Sequence, residues 1–251
     1  MINLQLYDHL LQFPLFQGLS RTELQQMAGN TKFGFLKVEA GKTVVRDGEA
    51  CTSLFFLING RLTLTTRSDD GGYAVTEQLS APWLLQPEAL FGLTPHYTCT
   101  ATVPAAVPAT TPAAVSAAVS AAVPDGFPSG PSPTAHFITL SKDEVLRLTD
   151  DFLIIRLNLL NLLSTLAQRR NRQAWHRTPQ PLRDRIARFL TDHCVYPAGP
   201  KGISILMERL AQELNDSRLD VSRALNAMQA EGLLRLHRGR IEVPSLERLF
   251  M

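Results

Sequence analysis

The chain lacks several features that would place it in familiar classes of protein. Its three cysteines, Cys51, Cys99 and Cys194, are scattered without C-x-x-C spacing, which argues against a disulfide framework or a zinc knuckle. Apolar runs of about 20 residues and an N-terminal signal pattern are both missing, so neither a membrane span nor secretion is expected. These absences favour a cytoplasmic location.

Catalytic motifs are missing as well. The sequence has no nucleophile elbow, phosphate-binding loop, H-E-x-x-H motif or paired carboxylates in a suitable setting, each of which places reactive groups at a fixed spacing. Glu88 stands alone and forms no catalytic constellation. An enzyme is therefore not expected.

Charge is nearly balanced over the whole chain, at a formal net charge of +2, but its two halves differ. Residues 1–140 contain 7 Lys and Arg against 10 Asp and Glu, whereas residues 141–251 contain 18 against 13. Part of the excess is a cluster of arginines, Arg169, Arg170, Arg172, Arg177, Arg183, Arg185 and Arg188. Such a cluster suits contacts with phosphate, and a solvated helix face is the alternative interpretation.

The first part of the chain is patterned as helices followed by short strands. Its 251 residues can form one large or two ordinary domains. Residues 4–30 have helical patterning, with Ser20 and Glu23 forming a capping box, and from Lys32 the apolar period changes to two. Asp47-Gly48 and Asn59-Gly60 are predicted to be hairpin turns between strands, and residues 69–72 form the next turn. We predict an antiparallel roll or barrel in the first domain, residues 1–148, which ends in a short helix over residues 142–148 capped by Ser141.

Residues 104–135 have an unusual composition for a folded domain. They contain 7 of the chain's 16 prolines and a single charged residue, Asp125. A long segment of this kind predicts a mobile insertion. There are two alternatives: a short helix over residues 113–123, and an alanine-rich face that packs on a partner.

A long apolar helix is predicted from Asp150 to about Trp175, within a segment assigned to residues 149–177. Five residues form a heptad-like seam along it: Phe152, Ile155, Leu159, Leu162 and Leu166. A second stripe of Leu160, Leu163 and Ala167 lies beside the seam. A helix that is apolar on two sides needs two packing partners. The first is its own domain, and the simplest second partner is another copy of the chain, so we predict a homodimer with the seam as its interface. Burial inside one monomer is the alternative.

Residues 207–231 are the most informative part of the sequence. They predict a helix over Met207–Leu214, a run of turn and N-cap residues at 215–217, and a second helix that ends at Gly232. In the first helix Leu206, Leu210, Ala211 and Leu214 form one apolar face. The second helix is predicted to direct Val221, Leu225, Met228 and Leu233 inward, and its outward residues are Ser217, Arg218, Ser222, Arg223 and Asn226. Strands over residues 233–237 and 240–243 flank a basic turn that contains Arg238.

This order of elements predicts a winged helix-turn-helix over residues 178–251, which follows the helix-breaking segment Thr178–Pro181. The motif places arginines in the major groove of double-stranded DNA, where they can bond guanine through two hydrogen bonds. Two amphipathic helices of an unrelated small domain are the alternative.

With the residues SRLDVSRALNAMQAEGLL at positions 217–234, the chain resembles the cyclic-AMP receptor protein/FNR (Crp/Fnr) family of bacterial transcription regulators. The resemblance extends over nearly the whole chain except residues 104–135. It implies an α+β fold with an N-terminal antiparallel β-roll of the cyclic-nucleotide-binding type, a long dimerisation helix and a C-terminal winged helix-turn-helix. It also implies a homodimer on a palindromic DNA site, RNA polymerase as a further partner, and an effector that acts through the long helix.

The sequence departs from the family pattern in two places. Leu219 stands where the family's recognition helix usually has a glutamate, so the preferred DNA site should differ at that base pair. In the expected effector pocket Glu88 and Thr100 match the family, but Cys99 replaces the arginine that pairs with the cyclic phosphate. We therefore predict weak or no binding of cyclic AMP.

Two other effectors known in the family are an iron–sulfur cluster and haem. Three cysteines cannot supply the four ligands of an FNR-type iron–sulfur cluster. Haem remains an alternative, with His96 or Cys99 as an axial ligand. The alternative function is a sensor of haem, a gas or a small molecule in which DNA binding is weak or vestigial.

Overall fold

A computed structural model of the chain describes residues 2–105, 134–175, 177–196 and 198–250. Contacts divide it into two compact units. Unit 1 contains residues 1–62, 79–103 and 134–176, and the described part of unit 2 includes residues 63–78 and the chain from Arg177 onward. The two structural predictions for the 104–135 insertion, mobility and a helix over 113–123, lie outside the described residues.

Unit 1 opens with two helices, α1 (Ile2–Leu10) and α2 (Arg21–Asn30), joined through a 3₁₀ turn at Pro14–Phe16. The predicted capping box at the start of α2 is confirmed. The Ser20 hydroxyl accepts the Glu23 backbone N–H at 3.2 Å, and the Glu23 carboxylate accepts the Ser20 backbone N–H at 2.8 Å. Two otherwise unpaired N–H groups of the first turn are thereby satisfied.

The predicted antiparallel β-structure is present. The strands of this region are β1 (Gly34–Val38), β2 (Thr43–Val45), β3 (Ser53–Asn59), β4 (Arg61–Arg67), β5 (Tyr73–Ser80), β6 (Trp83–Leu85), β7 (Thr100–Thr102) and β8 (Ala135–Ser141). Within unit 1 a four-stranded sheet has the order β1–β8–β3–β6, and β2 pairs with β7. Phe56 on β3 contacts Phe13 and Phe16, with ring centroids 5.0 and 5.4 Å apart, which places the core between the sheet and the N-terminal helices.

The turn at Asn59-Gly60 is not the hairpin that the sequence predicted. β3 lies in the four-stranded sheet, whereas β4 lies in the other sheet. Gly60 has a φ of 99°, and a Cβ there would lie 2.7 Å from the Thr134 carbonyl oxygen. Glycine is needed because the chain changes sheets in close contact with the residues that lead into β8. Asp47-Gly48 also connects strands of different sheets, and the turn at residues 69–72 does join the neighbours β4 and β5.

Two helices complete unit 1, α3 (Lys142–Asp151) and α4 (Leu153–Ala174). Ser141 caps α3 as predicted and accepts the Glu144 N–H at 3.3 Å. The sequence placed Asp150 in the long helix, but the chain leaves helical geometry at Phe152, where φ is −127° and ψ is 106°. The long helix therefore begins three residues later than predicted.

Unit 2 contains α5 (Leu182–Asp192), β9 (Lys201–Ile205), α6 (Met207–Leu214), α7 (Arg218–Ala230), β10 (Arg235–His237) and β11 (Arg240–Val243). Its strands have the order β10–β11–β9–β5–β4. The β4–β5 hairpin, which the sequence assigned to the effector domain, thus belongs to the same compact unit as the C-terminal helices. The core of the unit is formed by buried residues of α5, α6, α7, β9 and β11 together with Val75 of β5.

Among the described residues, no helix is both long enough and apolar enough to cross a lipid bilayer.

Candidate nucleic-acid interface

The turn between α6 and α7 has the geometry that the sequence predicts. Asn215 adopts the left-handed conformation, with a φ of 50°, and ends α6. The Asp216 carboxylate accepts the Ser217 backbone N–H at 2.8 Å, and the Ser217 hydroxyl accepts the Asp220 N–H at 3.1 Å. These bonds fix the direction in which α7 starts.

The inward faces of the two helices are largely as predicted. Val221, Leu225 and Met228 of α7 are buried. Leu210, Ala211 and Leu214 of α6 are buried as well. Leu206, which the sequence placed on the same apolar face, is exposed because it precedes the first turn of α6.

The outward face of α7 carries the predicted polar set. Ser217, Arg218, Arg223 and Asn226 are exposed, and Ser222 is half-buried. The Arg218 guanidinium lies 3.2 Å from Glu208 and that of Arg223 lies 3.4 Å from Asp220, with arginine side chains 67% and 70% exposed. Exposed ion pairs of this kind contribute little, so both guanidinium groups can exchange a carboxylate for a nucleic-acid partner.

The far end of α7 is closed by a glycine cap. Gly232 has a φ of 73°. Its N–H donates to the Gln229 carbonyl at 2.9 Å, and the Leu233 N–H donates to the Met228 carbonyl at 3.0 Å. This pair of bonds is the Schellman arrangement, and it confirms the predicted end of the helix.

The wing is a two-stranded antiparallel ribbon of β10 and β11. Its turn passes through Gly239, with a φ of 72°, and Arg238 is exposed at the tip. The Ile205 N–H of β9 donates to the Gly239 carbonyl at 3.0 Å, so β9 supports the tip of the wing. β10 begins two residues later than predicted because Leu233 takes part in the cap of α7.

Part of the arginine cluster before the helix-turn-helix is engaged in ion pairs. Four members form ion pairs within the chain: Arg170 with Glu88, Arg183 with Glu231, Arg185 with Asp216, and Arg188 with Asp192. Sequence spacing does not predict the first three pairs, because their partners lie 82, 48 and 31 residues away.

Two of these arginines brace the outward-facing helix at both ends. Arg185 of α5 pairs with Asp216, which precedes α7, and both side chains are about three-quarters buried. Arg183 of α5 pairs with Glu231, at the C-terminal end of α7, at 2.7 Å. α5 therefore positions α7 through charge as well as through apolar packing.

The predicted effector residues lie in unit 1 in three different settings. Glu88 is in a 3₁₀ turn, Pro87–Ala89, and its carboxylate pairs with Arg170 of α4 at 2.9 Å. Cys99 is completely buried. Thr100, on β7, is half-buried and its hydroxyl accepts the Asp47 N–H at 3.2 Å. Arg170 is the partner that the sequence analysis missed.

The position expected to hold the phosphate-binding arginine carries no cation. It is Cys99, a buried thiol, whereas a cyclic phosphate is bound best by a cation. The Glu88 carboxylate is engaged by Arg170. His96, the alternative haem ligand, lies in an exposed loop with its Nδ1 2.6 Å from the Thr94 carbonyl oxygen.

The predicted dimer seam on α4 is mostly occupied within the chain itself. Phe152, Ile155 and Leu159 are buried in unit 1, and Leu162 and Leu166 are half-buried. Three exposed leucines form a stripe on nearly the opposite side of the helix, with Leu153, Leu157 and Leu160 exposed by 65%, 46% and 54%. They are spaced i, i+4 and i+7 and so lie on one face of the helix.

Two domain models match the chain. A cyclic nucleotide-binding domain matches residues 35–115, and a Crp-like helix-turn-helix domain matches residues 184–250, which together are more than half of the chain. The pair defines a regulator with a nucleotide-sensor-type β-roll and a DNA-binding winged helix. The chain belongs to the Crp/Fnr family of transcription regulators.

Solved structures of similar proteins span almost the full length of the chain. The catabolite activator protein of Thermus thermophilus is 20% identical, with a TM-score of 0.48, over 95% of this chain and 97% of its own. DNR from Pseudomonas aeruginosa is 21% identical, with a TM-score of 0.42, over 98% and 97%. The c-di-GMP-responsive regulator CLP of Xanthomonas campestris is 16% identical, with a TM-score of 0.46, over 88% and 96%. These values are low, so family membership rests on the domain models. A comparison with curated proteins finds no match.

Proposed function

We propose that this protein is a sequence-specific DNA-binding transcription regulator that acts as a homodimer on an inverted-repeat site. The observation that carries the proposal is the outward face of α7, where Ser217, Arg218, Arg223 and Asn226 are exposed. The same helix is held at both ends by ion pairs from α5. An exposed polar face on a rigidly held helix is what reading of base edges requires.

Each polar residue of this face has a role in the proposal. Arg218, in the first turn of α7, donates to the acceptor edge of a guanine, and Arg223 reads a neighbouring base or a phosphate. Ser217, Ser222 and Asn226 support these contacts. Arg238 at the wing tip contacts the phosphate backbone. In a symmetric dimer, the two copies of α7 contact half-sites about 34 Å apart, one turn of DNA.

The dimer is proposed to form along α4. The stripe of Leu153, Leu157 and Leu160 is apolar and exposed in the single chain. Packing against a second copy of α4 would remove this apolar surface from water. The seam residues Leu162 and Leu166 are half-buried and lie on the opposite side of the helix from this stripe. They share that side with Phe152, Ile155 and Leu159, which support the helix from inside unit 1.

The effector is proposed not to be cyclic AMP. The buried Cys99 and the Glu88–Arg170 ion pair support this. An organic ligand of different charge, or no ligand, accounts for the residues equally well. RNA polymerase as a partner, a cytoplasmic location and the division into domains at residues 148 and 178 also remain predictions.

Selection of duplexes from a genomic library, followed by mobility-shift titration, tests the proposal. The purified protein should enrich an inverted repeat. Arg218→Ala should weaken binding to it by about 1–3 kcal/mol, and relax the preference at one base pair in each half-site. The matched control is Arg21→Ala, which removes an exposed arginine of α2.

The control variant should bind within about twofold of the wild-type protein, because surface changes away from a contact have small effects. Enrichment that is unchanged by Arg218→Ala would show that α7 is not the reading helix. Absence of any duplex binding at low salt would leave the sensor alternative, in which the DNA-binding half is vestigial.

A further inference from the structure

The β4–β5 hairpin contributes a strand to the sheet of the DNA-binding unit. β5 pairs antiparallel with β9 over five positions, from Tyr73 opposite Ile205 to Glu77 opposite Lys201. β9 in turn pairs with β11, the second strand of the wing. The matched helix-turn-helix domain begins at residue 184, so a strand from outside that domain completes its sheet.

A buried ion pair joins the hairpin to this sheet. Glu77 is 1% exposed and the Lys201 side chain is completely buried, with Nζ 2.8 Å from the Glu77 carboxylate. That carboxylate also accepts the backbone N–H groups of Val195 and Tyr196 at 2.8 and 2.9 Å. Because a buried charge is costly unless it is paired and hydrogen-bonded, Lys201 would be left uncompensated if the hairpin moved away.

Apolar contacts hold the middle of the hairpin. Val75 is part of the buried core of unit 2. The Tyr73 ring packs against Phe189 and His193 of the α5 region, at centroid distances of 5.7 and 5.1 Å. These contacts shield the apolar side chains on this face of β5 from water.

The tip of the hairpin contacts the helix-turn-helix. The Asp70 carboxylate lies 2.7 Å from Arg209 of α6, and Arg209 also pairs with Glu213 at 2.7 Å. The Gly72 N–H and the Ser68 hydroxyl, with a contribution from Arg209, stabilise the Asp70 carboxylate and hold its pKa below the ordinary value. The hairpin therefore reaches both elements that the proposed function brings to DNA, the wing through β9 and the helix-turn-helix through α6.

We propose that the β4–β5 hairpin is a structural arm of the DNA-binding unit, that the paired β5–β9 arrangement is the DNA-binding state, and that Glu77 is the positioning residue that maintains it. The proposal rests on the proposed function. Strand β4 starts in unit 1 at Arg61 and continues into unit 2 from Thr63. The arm is thus covalently continuous with unit 1 and hydrogen-bonded, through β9, to the sheet that contains the wing.

Glu77→Gln in the full-length protein tests the positioning role. The substitution removes a negative charge, which by itself should strengthen binding to DNA. If Glu77 positions the wing, affinity for the selected duplex should instead fall by about tenfold or more, because Lys201 loses its partner. Hydrogen–deuterium exchange should increase in residues 73–77 and 201–205. The control is Glu39→Gln, the same charge change at an exposed side chain of unit 1.

A disulfide across the two strands keeps the test decisive if Glu77→Gln fails to fold. Ala74 and Ser204 lie directly opposite each other, and opposed residues of antiparallel strands have Cα separations of about 4.5–5.5 Å, within the range of a disulfide. The double variant Ala74→Cys with Ser204→Cys is compared oxidised and reduced, alone and combined with Glu77→Gln.

The proposal expects the oxidised double variant to bind DNA within about threefold of its reduced form, and to restore affinity when Glu77→Gln is present. Loss of binding on oxidation would mean that the paired strands belong to an inactive state. Wild-type affinity and wild-type exchange in Glu77→Gln would also overturn the proposal while leaving the proposed function intact. Failure of the wild-type protein to bind any duplex would instead remove the proposed function, and with it the assignment of the paired state.

Discussion

At the residue scale, position 219 concerns the choice of DNA sequence. Leu219 is exposed in the first turn of α7, next to Arg218. A glutamate at this position could accept a hydrogen bond from a cytosine N4 amino group, whereas leucine offers only apolar contact. The departure from the family pattern therefore lies on the surface proposed to face the bases.

Leu219→Glu should change the base preferred at one pair in each half-site towards a C·G pair, by about 1–3 kcal/mol. Total affinity should fall modestly, since a negative charge is added near phosphate. Parallel duplex selections with the wild-type and variant proteins measure both effects. Identical selected sites for the two proteins would place residue 219 away from the bases.

The sequence predicts residue-scale features well where their causes are local. The caps at Ser20, Ser141 and Ser217 and the left-handed Gly232 are confirmed because each depends on neighbours within a few positions. The Glu77–Lys201 pair spans 124 residues, and no spacing rule connects two residues so far apart.

At the scale of elements, α5 controls the position of α7 through two arginines. Arg185→Met leaves the largely buried Asp216 without its cation, and should lower the free energy of unfolding by about 1–2 kcal/mol, given the partial exposure of the pair. Urea denaturation measures this. Arg188→Met is the matched control on the same helix, since its pair with Asp192 is longer, at 3.6 Å, and should contribute less than about 0.5 kcal/mol. Equal effects of the two substitutions would remove the special role of Arg185.

The exposed stripe of α4 is the second element with a direct test. Leu157→Glu should place a charge in the proposed interface and shift the protein towards monomer, because an unpaired charge is costly to bury. Sedimentation velocity at several concentrations detects the change. The control is Leu93→Glu, at a fully exposed leucine of unit 1, which should leave the association state unaltered. A wild-type protein that is monomeric throughout would contradict the homodimer.

The sequence could predict that α4 is apolar on two sides but not which side packs inside its own unit. Periodicity gave both the seam and the second stripe, and burial of Ile155 and Leu159 depends on tertiary contacts that have no sequence period. The same limit applies to Asn59-Gly60. The dipeptide indicates a tight turn, and only the pairing of β3 and β4 with different sheets determines that it is not a hairpin.

At the scale of the whole molecule, the predicted lack of cyclic-AMP binding has a direct test. Cyclic AMP should neither raise the melting temperature nor increase affinity for the selected duplex, because the cyclic phosphate finds no guanidinium at position 99. Differential scanning fluorimetry with cyclic AMP, and an absorbance spectrum of freshly purified protein, test this together. A saturable rise in melting temperature would show that cyclic AMP binds and would contradict this prediction. A Soret band would show that the protein binds haem.

The shared sheet of β5 and β9 limits where the chain can be cut to give a stable DNA-binding fragment. A fragment that starts at residue 178 would keep every residue proposed to contact DNA, but one edge of β9 would be unpaired and Lys201 would lose its counter-ion. Bare strand margins recruit other chains. Evolutionary shuffling of this winged helix onto a new sensor would therefore have to carry along a piece of the old sensor, or invent a substitute for it.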